Sequence, residues 1–515
     1  MKNIYCAYYT NSDAITTYMT EKLKLQEGNR VLEPSAGEGI FIESVLAKNK
    51  DVEIEALDMN ADAVEILKEK FDNNVNIKNI RVTDTLLDSQ LDLYHLYGGY
   101  YDRIIGNPPY GAWQDYEKRS ELKKKYVGHY VKETYTLFLL RCVSLLKTNG
   151  ILSFIIPDTF MFLNRHEKLR RVLLKNTAIE EILIFPSHFF PGVNFGYSNL
   201  SIITLRKVDS EEVATNNQVT VLKGFEQVEE LPLVAKGIYS EKIKVNKLLQ
   251  KDILENANAR FLLNNSFEQI NLNKSEYTIG DFADIVTGFY SGDNIQFIRA
   301  RDNSVKGAKK YEVIDKTEIT EQADLSGTLE EGKRFIPYVK GSSSTRYLRE
   351  ADDWYVMWDA ETIEYYKTNK KSRFQNSQFY FRKGIAIPMV KSSSIRATLI
   401  ENRVFDQSIV GIFPKNEKYM LYLLAFLNSD VACRMLHIIN PTANNSSNYV
   451  KQIPFIKPSE KQLAEIEEAV MKVMSAVKTK DNCLLEEIQS MINEHFNFLY
   501  YDKLSVGGEK TNIAG

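Results

Sequence analysis

Cysteine is scarce in this sequence and long apolar runs are missing, and these two deficits exclude several classes of protein. The cysteines lie far apart, and none forms a CxxC pair or a Cys/His cluster with the spacing of a metal site: Cys6, Cys142, Cys433 and Cys483. We therefore expect reduced thiols and no bound metal. No apolar run approaches the length of about 18 residues that a membrane span needs, and the amino terminus lacks the pattern of a secretion signal. These absences predict a cytoplasmic protein with no membrane partner.

A large excess of one charge is also missing. The chain has 65 Lys and Arg against 68 Asp and Glu, a formal net charge of -3. Because phosphate binding depends on clustered Lys and Arg, this balance neither indicates nor excludes a nucleic-acid partner, and any basic surface must be local. What the sequence does have is length. Its 515 residues are too many for one ordinary core, which predicts two or three domains.

Residues 12–207 alternate between short apolar runs and helical periodicity, a pattern typical of βαβ units around a mostly parallel sheet. Helices are predicted at 12–23 and at 136–147, the second ending at Asn149-Gly150. The predicted strands are 30–34, 53–57, 80–82, 101–106, 151–157, 180–186 and 200–207. This part of the chain is therefore predicted to be a doubly wound, Rossmann-like α/β domain.

After Lys207 the sequence becomes polar and regular alternation is lost up to about residue 265, where we place the domain boundary. The first predicted domain is 1–265. The second, 266–515, is predicted to be a mixed α/β domain that ends in helices, with one helix at 418–436 and two amphipathic helices at 461–478 and 484–500.

A glycine turn follows the first predicted strand. It reads EPSAGEG from Glu33 to Gly39, and two glycines, Gly37 and Gly39, allow the backbone to approach a ligand closely in front of a helix. Asp58 ends the next strand, about 20 residues on, where an acidic side chain accepts hydrogen bonds from ribose hydroxyls. The pair indicates a nucleoside-containing cofactor. From these residues alone, a plain tight turn and a helix-capping Asp remain an alternative.

The motif Asn107-Pro108-Pro109-Tyr110 comes directly after the fourth predicted strand. An adenine amine is a poor nucleophile because its lone pair is delocalised into the ring. The side-chain oxygen of Asn107 and the backbone carbonyl of Pro108 can each accept one of its N–H bonds, which favours a tetrahedral nitrogen with a free lone pair. Tyr110 offers a ring on which an unstacked base can lie. Such a motif also occurs as an ordinary turn, but its place at a strand end favours the catalytic interpretation.

Together, these motifs in this order resemble the gamma-class, Taq-type adenine-specific DNA methyltransferases of restriction-modification systems. Landmarks of that family's specificity domain are matched at IGDFADI (279–285), FIPYVKG (335–341), FLNSD (426–430) and YVKQIPFIKP (449–458). The resemblance implies S-adenosylmethionine as cofactor and an adenine flipped out of duplex DNA, methylated at its N6 amine. It also implies a catalytic domain at 1–265 and a target-recognition domain at 266–515.

The resemblance further implies the residues of the site. The catalytic set is Asn107, Pro108, Tyr110 and Phe190, with Phe195 and Tyr197 as alternatives to Phe190 for the aromatic on the far side of the flipped base. Asp84 would hold the adenine amine of the cofactor, and Phe138 would lie against its ring, although an exposed loop Asp and a plain core Phe remain the alternatives. The implied cofactor pocket comprises Thr10, Glu33, Ser35, Gly37, Gly39, Asp58, Met59, Asp84 and Phe138.

A local basic cluster lies between Tyr365 and Arg396, a stretch that contains no Asp or Glu. We name it the basic segment and predict that it binds DNA phosphates, with a solvated loop as the alternative. The interleaved aromatics Phe374, Phe379, Tyr380 and Phe381 predict strands whose basic side chains face outward. The basic residues are Lys367, Lys370, Lys371, Arg373, Arg382, Lys383, Lys391 and Arg396.

Four other kinds of protein share part of this pattern. RNA and protein methyltransferases share the Asn-Pro-Pro-Tyr motif but resemble the first half only. A fused nuclease is not expected, since the chain begins almost at the cofactor helix and shows no convincing nuclease motif. An NAD-dependent dehydrogenase would need a third glycine in the turn. A catalytically inactive DNA-binding relative should have lost Asn107 or Gly37. We therefore expect a monomeric methyltransferase that acts on double-stranded DNA, with a separate cognate endonuclease as a possible partner.

Overall fold

The computed structural model describes residues 12–110, 116–189, 199–262, 275–390, 394–440 and 445–504. The chain divides into two compact units, Met1–Leu263 and Asn264–Gly515, which we call unit 1 and unit 2. Within the described ranges, no single helix combines the length and apolarity needed to cross a membrane. One bent pair of helices, 417–428 with 430–439, is long and apolar enough when the two are taken together, by length and composition alone.

Unit 1 is built on a sheet of nine described strands. These are β1 (Arg30–Glu33), β2 (Glu53–Asp58), β3 (Ile77–Val82), β4 (Tyr101–Gly106), β5 (Leu146–Pro157), β6 (Thr177–Pro186), β7 (Asn199–Lys207), β8 (Gln218–Lys223) and β9 (Lys244–Leu249). They lie in the order β3-β2-β1-β4-β5-β7-β6-β8-β9. The pairs β1–β2, β2–β3, β1–β4, β4–β5 and β6–β8 are parallel, whereas β7 runs antiparallel to β5 and β6, and β9 to β8. The predicted α/β class with a mostly parallel sheet is confirmed.

Most helices of unit 1 lie between its strands along the chain. They are α1 (Asp13–Lys22), α2 (Ile40–Lys48), α3 (Ala61–Lys70), α4 (Ser89–Leu96), α5 (Tyr116–Lys125), α6 (Thr134–Leu145), α7 (Glu167–Asn176), α8 (Glu211–Thr215), α9 (Glu230–Ala235) and α10 (Gln250–Glu255). Short polar side chains begin several of them. For example, the side chain of Asn60 accepts the N–H of Asp62 at the start of α3.

The helix predicted at 136–147 is present as α6, but its predicted end and the predicted loss of alternation after Lys207 were wrong. The helix predicted at 136–147 ends at Leu145, because Leu146 is already extended and pairs with Tyr101 of β4; the Asn149-Gly150 turn lies inside β5. The alternation predicted to be lost after Lys207 continues in β8 and β9, which extend the sheet. Both strands are short, and β9 has no buried residue and exposes Val245 and Leu249, so the alternation of apolar and polar residues is weak.

Unit 2 contains several small sheets. Its strands are β10 (Tyr277–Thr278), β11 (Ala283–Thr287), β12 (Ile298–Ala300), β13 (Glu312–Val313), β14 (Ala323–Asp324), β15 (Gly327–Thr328), β16 (Phe335–Val339), β17 (Trp354–Met357), β18 (Gly384–Pro388), β19 (Thr398–Ile400), β20 (Val404–Phe405), β21 (Ile409–Pro414) and β22 (Pro454–Phe455). The two larger sheets have the orders β11-β21-β18-β19 and β13-β12-β17-β16-β20. Aromatic side chains packed around Phe289 and Trp358 form much of the core.

The helices of unit 2 include the predicted carboxyl-terminal pair. They are α11 (Ile279–Phe282), α12 (Asn294–Phe297), α13 (Ala360–Thr368), α14 (Met420–Asn428), α15 (Asp430–Ile439), α16 (Ser447–Val450), α17 (Glu460–Thr479) and α18 (Asn482–Leu504). The single helix predicted at 418–436 was wrong. The chain bends by 74° at this point, because Ser429 is extended and its hydroxyl caps α15 by accepting the N–H of Ala432.

Candidate functional site

The carboxyl ends of β2, β1 and β4 lie side by side, which gathers the motif residues at one edge of the sheet. Glu33 ends β1, Asp58 ends β2, and Asn107 follows β4 directly. This is the edge at which open α/β sheets bind ligands. The hydroxyl of Ser35, in the glycine turn, donates to the backbone carbonyl of Asn107 at 3.3 Å, so the turn and the Asn-Pro-Pro-Tyr loop are in direct contact.

The glycine turn requires its glycines. Gly37 and Gly39 have φ of 52° and 84°, in the left-handed region that other residues adopt at a cost. A Cβ on Gly39 would lie 2.6 Å from Cδ2 of Leu67. Asp58 braces the turn, because its Oδ2 accepts the N–H of Gly37 at 2.8 Å while its Oδ1 accepts the N–H of Asn60 at 2.8 Å. The predicted ribose acceptor thus also fixes the backbone of the turn.

Glu33 is the most deeply buried acidic side chain of this edge, with 1% of its surface exposed. Within the described residues, its Oε2 has no hydrogen-bond partner. Burial, reinforced by the charge of Asp58, raises the pKa of the Glu33 carboxyl well above its usual range, and the N–H of Ile42 opposes this shift without cancelling it. A buried acceptor beside a glycine turn fits a ligand that carries a positively charged amino group, such as the methionine end of S-adenosylmethionine.

Asp84 and Met59 are connected by a residue that the sequence did not single out. Lys118, on α5, forms an ion pair with Oδ2 of Asp84 at 2.8 Å and lies 3.4 Å from Sδ of Met59. The other oxygen of Asp84 accepts the N–H of Leu86 at 3.0 Å. One carboxylate oxygen of Asp84, which is predicted to hold the adenine amine of the cofactor, is therefore already paired with a lysine. Lys118 stands in a lysine-rich helix, so its sequence context gave no signal.

The Asn-Pro-Pro-Tyr loop is held in place by its own Tyr and by α6. The Tyr110 hydroxyl donates to Oδ1 of Asn107 at 2.5 Å, and the Thr134 hydroxyl donates to the carbonyl of Pro109. The Tyr110 ring is 1% exposed and packs edge-on against Tyr135, with centroids 6.4 Å apart. Stacking on a flipped base would thus require this ring to be uncovered, and that role remains a prediction.

A buried polar network lies behind the loop and was missed by the sequence analysis. Oε2 of Glu133 contacts Nε2 of His166 at 2.7 Å, and Arg165 pairs with the same carboxylate. Burial lowers the pKa of His166, which keeps the ring neutral at neutral pH. The Tyr135 hydroxyl lies 3.4 Å from Nε2 of His166, so the network supports the side chain on which Tyr110 packs.

Asp158 adds a further acidic group at the same edge, directly after β5. Burial raises the pKa of its carboxyl to about 6, although the Asn199 amide, which donates to Oδ2 at 3.3 Å, acts in the opposite direction. No motif contains this residue, so its environment was not predictable from sequence. Among the described residues, no group of three His, Cys, Asp or Glu side chains is placed to hold a metal ion.

Of the remaining predicted residues of unit 1, Phe138 is described by the structure and the others are not. Phe138 lies in α6 and is 7% exposed, a position compatible with both the pocket wall and the plain core. Five predicted or alternative residues lie outside the described residues: Thr10, Phe190, Phe195, Tyr197 and Lys391.

The basic segment is exposed but does not form the predicted strands. Its described part contains the end of α13, a short 3-10 helix at Ser377–Phe379 and loops, and only β18 is extended. Left-handed backbone at Asn376 and Phe381 breaks the alternation, and the aromatics turn inward, with Phe374 against Trp358. The exposed basic side chains are Lys367, Lys370, Lys371, Arg373, Arg382, Lys383 and Arg396. Of these, Lys383 lies 3.5 Å from Glu417.

Comparison with known proteins identifies relatives of this chain. Residues 4–190 match the family model of the Eco57I restriction-modification methylase. The type II methyltransferase M.AccI of Acinetobacter calcoaceticus is 28% identical over 208 residues, 39% of this chain and 36% of the relative. The adenine-specific methyltransferase PglX of Lacticaseibacillus casei (strain Zhang) is 23% identical over 404 residues, 72% of this chain and 30% of the relative.

Solved structures show a similar fold. A nuclease-deletion mutant of the Type ISP restriction-modification enzyme LlaGI, in complex with a DNA substrate mimic, has a TM-score of 0.56 at 14% identity and covers 91% of this chain and 54% of that chain. The DrdV–DNA complex has a TM-score of 0.52 at 13% identity and covers 90% and 57%. At this identity the likeness concerns the fold alone.

These comparisons confirm the resemblance to methyltransferases of restriction-modification systems. The chain spans 36% and 43% of the length of two curated relatives, M.AccI and M.HincII of Haemophilus influenzae. The site residues themselves remain predictions.

Proposed function

Proceeding from this similarity to restriction-modification methylases, we propose that the chain transfers a methyl group from S-adenosylmethionine to the N6 amine of adenine at a specific site in duplex DNA. The observation that carries the proposal is the contact between the glycine turn and the Asn-Pro-Pro-Tyr loop. Ser35 bonds the backbone of Asn107, so a cofactor held by the turn and a base held by the loop would be neighbours.

The cofactor would supply an electrophilic methyl group, and three acidic residues of this edge would hold it. The buried Glu33 carboxyl suits its amino group, Asp58 its ribose hydroxyls, and Asp84 the amine of its adenine ring. The glycine turn provides the close backbone approach. These roles would distribute binding along the whole cofactor, beside the Asn-Pro-Pro-Tyr loop.

Asn107 and Pro108 would activate the target amine. In the proposed mechanism, Oδ1 of Asn107 and the carbonyl of Pro108 each accept one N–H, so that the nitrogen lone pair is free to attack. In the structure, the Tyr110 hydroxyl donates to the same Oδ1. Because an amide oxygen accepts up to two hydrogen bonds, the target amine would bind Oδ1 either beside this hydroxyl or in its place.

An adenine in duplex DNA must leave the base stack to reach this loop. We propose that Tyr110 and one further aromatic, Phe190 or its alternatives Phe195 and Tyr197, enclose the flipped base. We further propose that unit 2 is the target-recognition domain, with the basic segment on DNA phosphates. The biological role would be protection of host DNA from a cognate restriction enzyme, with the methyltransferase acting as a monomer.

RNA and protein amide nitrogens are the alternative substrates, and a direct comparison separates them. The purified chain, supplied with methyl-labelled S-adenosylmethionine, is offered duplex DNA, RNA and a protein extract. We expect label in DNA alone, recovered as N6-methyladenine after digestion. Label in RNA or protein without label in DNA would contradict the proposal, and absence of label from all three would indicate an inactive relative.

A further inference from the structure

Unit 2 contains a polar cavity that the proposed function does not use. It lies at one end of the five-stranded sheet, where β12 ends, β16 ends and β17 begins. The loops 301–306 and 343–353 line it, and its volume is about 240 Å³. All lining residues belong to unit 2, and none was part of the predicted DNA-binding set.

The charges that line this cavity favour an anion. Arg301, Lys306 and Arg349 face Glu350 and Asp353. Arg301 and Asp353 neutralise each other through an ion pair of 2.9 Å between Nη1 and Oδ1. Glu350 and Lys306 are both exposed. Arg301 also pairs with Asp302, at 2.9 Å, a residue that does not line the cavity. Among the lining residues that Arg301 does not pair with, two are positive, Lys306 and Arg349, and one is negative, Glu350.

Arg349 provides the more specific observation. Its Nη2 donates to the carbonyl of Gly341 at 2.9 Å, but its Nε is buried and, among the described residues, has no hydrogen-bond partner. Burial lowers the pKa of this guanidinium. A buried N–H without an acceptor is unfavourable, and an anion oxygen that reached it would satisfy it. Guanidinium groups are well suited to phosphate oxygens in this way.

The cavity is also connected to the basic segment. Nη1 of Arg396 donates to the carbonyls of Ser343 and Ser344, at 3.2 and 3.3 Å, and both serines line the cavity. A residue of the predicted DNA-binding set thus holds one wall of the cavity. Because these groups adjoin one another in the same unit, a single duplex could contact both.

We propose that this cavity binds a phosphate group of the DNA backbone, with Arg349 and Lys306 as its main donors. The inference rests on the proposed function and deepens it, since it adds a phosphate contact outside the basic segment. Such a contact fixes the position of the duplex without reading its sequence.

Single charge changes around the cavity test this assignment. Lys306→Gln removes an exposed lysine and should leave the fold intact; Arg349→Gln removes the buried donor. Each should weaken DNA binding and reduce the log–log dependence of affinity on salt by about one unit. Glu350→Gln removes an opposing charge and should strengthen binding. The matched control is Lys461→Gln, an exposed lysine on α17 that pairs only weakly, at 3.7 Å, with Glu465.

DNA binding is measured by fluorescence anisotropy at several salt concentrations, and cofactor binding by calorimetry. If Lys306→Gln behaves like Lys461→Gln and Glu350→Gln does not strengthen binding, while the wild type binds and methylates DNA, the cavity assignment is wrong and the proposed function stands. A wild type that binds no DNA would instead overturn the proposed function. The anion could also be free inorganic phosphate, whose binding is measured by calorimetry. If Arg349→Gln loses phosphate binding but keeps its DNA affinity, the cavity binds a free anion and the proposal is overturned.

Discussion

Among single residues, two buried carboxyl groups at the carboxyl edge of the sheet hold their protons more tightly than exposed acids do. Burial raises the pKa of both Glu33 and Asp158, and the charge of Asp58 adds to the effect at Glu33. A positive charge that approaches a buried, protonated carboxyl group lowers its pKa and favours its ionised form. If Glu33 receives the amino group of the cofactor, binding should therefore release a proton.

Asp158 allows a test of this environment through stability. Its pKa of about 6 lies above the ordinary value of about 4. As the pH rises, the unfolded chain loses this proton near pH 4 and the folded chain only near pH 6. The stability that the protonated carboxyl gives the fold is therefore fully present below pH 4 and is lost as the pH rises through 6. Asp158→Asn should thus gain stability over the wild type at pH 8, by roughly 2 kcal/mol, and gain little at pH 4.

Urea unfolding at the two pH values measures this difference. Asp51→Asn, at an exposed acid, is the control and should show no pH-dependent gain. Equal effects of Asp158→Asn at pH 4 and pH 8 would show that the carboxyl is not held protonated by the fold.

Lys118 is expected to compete with the cofactor for Asp84. In the proposed function, the adenine amine and Lys118 share one carboxylate, so Lys118→Met should tighten S-adenosylmethionine binding several-fold while keeping the length of the side chain. Lys124→Met, at an exposed lysine of the same helix, should leave binding unchanged. Calorimetric titration decides the matter, and weaker binding by Lys118→Met would mean that the lysine supports the cofactor instead.

The residues that sequence analysis found are those carried by local motifs. Glu33, Asp58 and Asn107 follow strands at recognisable spacings, and the sheet order brings them to one edge. Lys118, His166 and Asp158 depend on contacts between elements that are distant in sequence, and a single chain gives no pattern for such contacts. The same limit applies to the burial of Tyr110, since its motif does not define what packs against its ring.

At the scale of elements, the glycine turn is the feature whose geometry constrains the site most. Gly39→Ala would place a methyl group in left-handed backbone and into contact with Leu67 and Phe71. Gly28→Ala is a matched control, with a φ of 74° and open space around the new methyl group. Each should lose about 1–2 kcal/mol of stability from the backbone term.

The two variants should differ in function. Gly39→Ala should lose more stability than Gly28→Ala and should also bind S-adenosylmethionine more weakly, since the turn must shift to relieve the contact. Thermal unfolding and calorimetric titration measure the two effects. Equal cofactor affinity in both variants would show that the turn does not shape the cofactor site.

Helices and strands were predicted well where the periodic pattern of apolar residues extends over many residues. They were predicted poorly where a single residue determines whether a helix or strand continues. The strands that carry the site were found because each is a short apolar run between polar turns. The bend at Ser429 was missed because apolar residues flank the polar triplet Asn428-Ser429-Asp430 on both sides, as they would in one continuous helix. The aromatics in 374–381 wrongly predict strands, because their spacing reflects packing around Trp358, which β strands and irregular loops satisfy equally.

At the scale of the whole molecule, the proposal assigns chemistry to unit 1 and DNA contacts to unit 2. Replacing Lys370, Lys371 and Arg373 together by Ala should weaken DNA binding and flatten its log–log salt dependence by up to about three units. Cofactor affinity should not change, because the predicted pocket belongs to unit 1.

The control is a second triple variant on α17, with Lys461, Lys472 and Lys478 replaced by Ala, which removes the same charge from another surface of unit 2. Anisotropy over a range of salt concentrations compares the two. If both variants lose the same affinity, overall charge and not the basic segment governs binding, and the segment is a solvated loop.

The central claim is that Asn107 activates an adenine amine. It is tested by single-turnover methyl transfer to duplex DNA, with N6-methyladenine quantified by mass spectrometry for the wild type and Asn107→Ala. Removing one preorganised acceptor commonly costs about 10²–10³ in rate. The account predicts N6-methyladenine from the wild type and a loss of at least this size in Asn107→Ala, with cofactor and DNA binding retained. A near-normal rate in the variant, or methylation of a different base by the wild type, would contradict it.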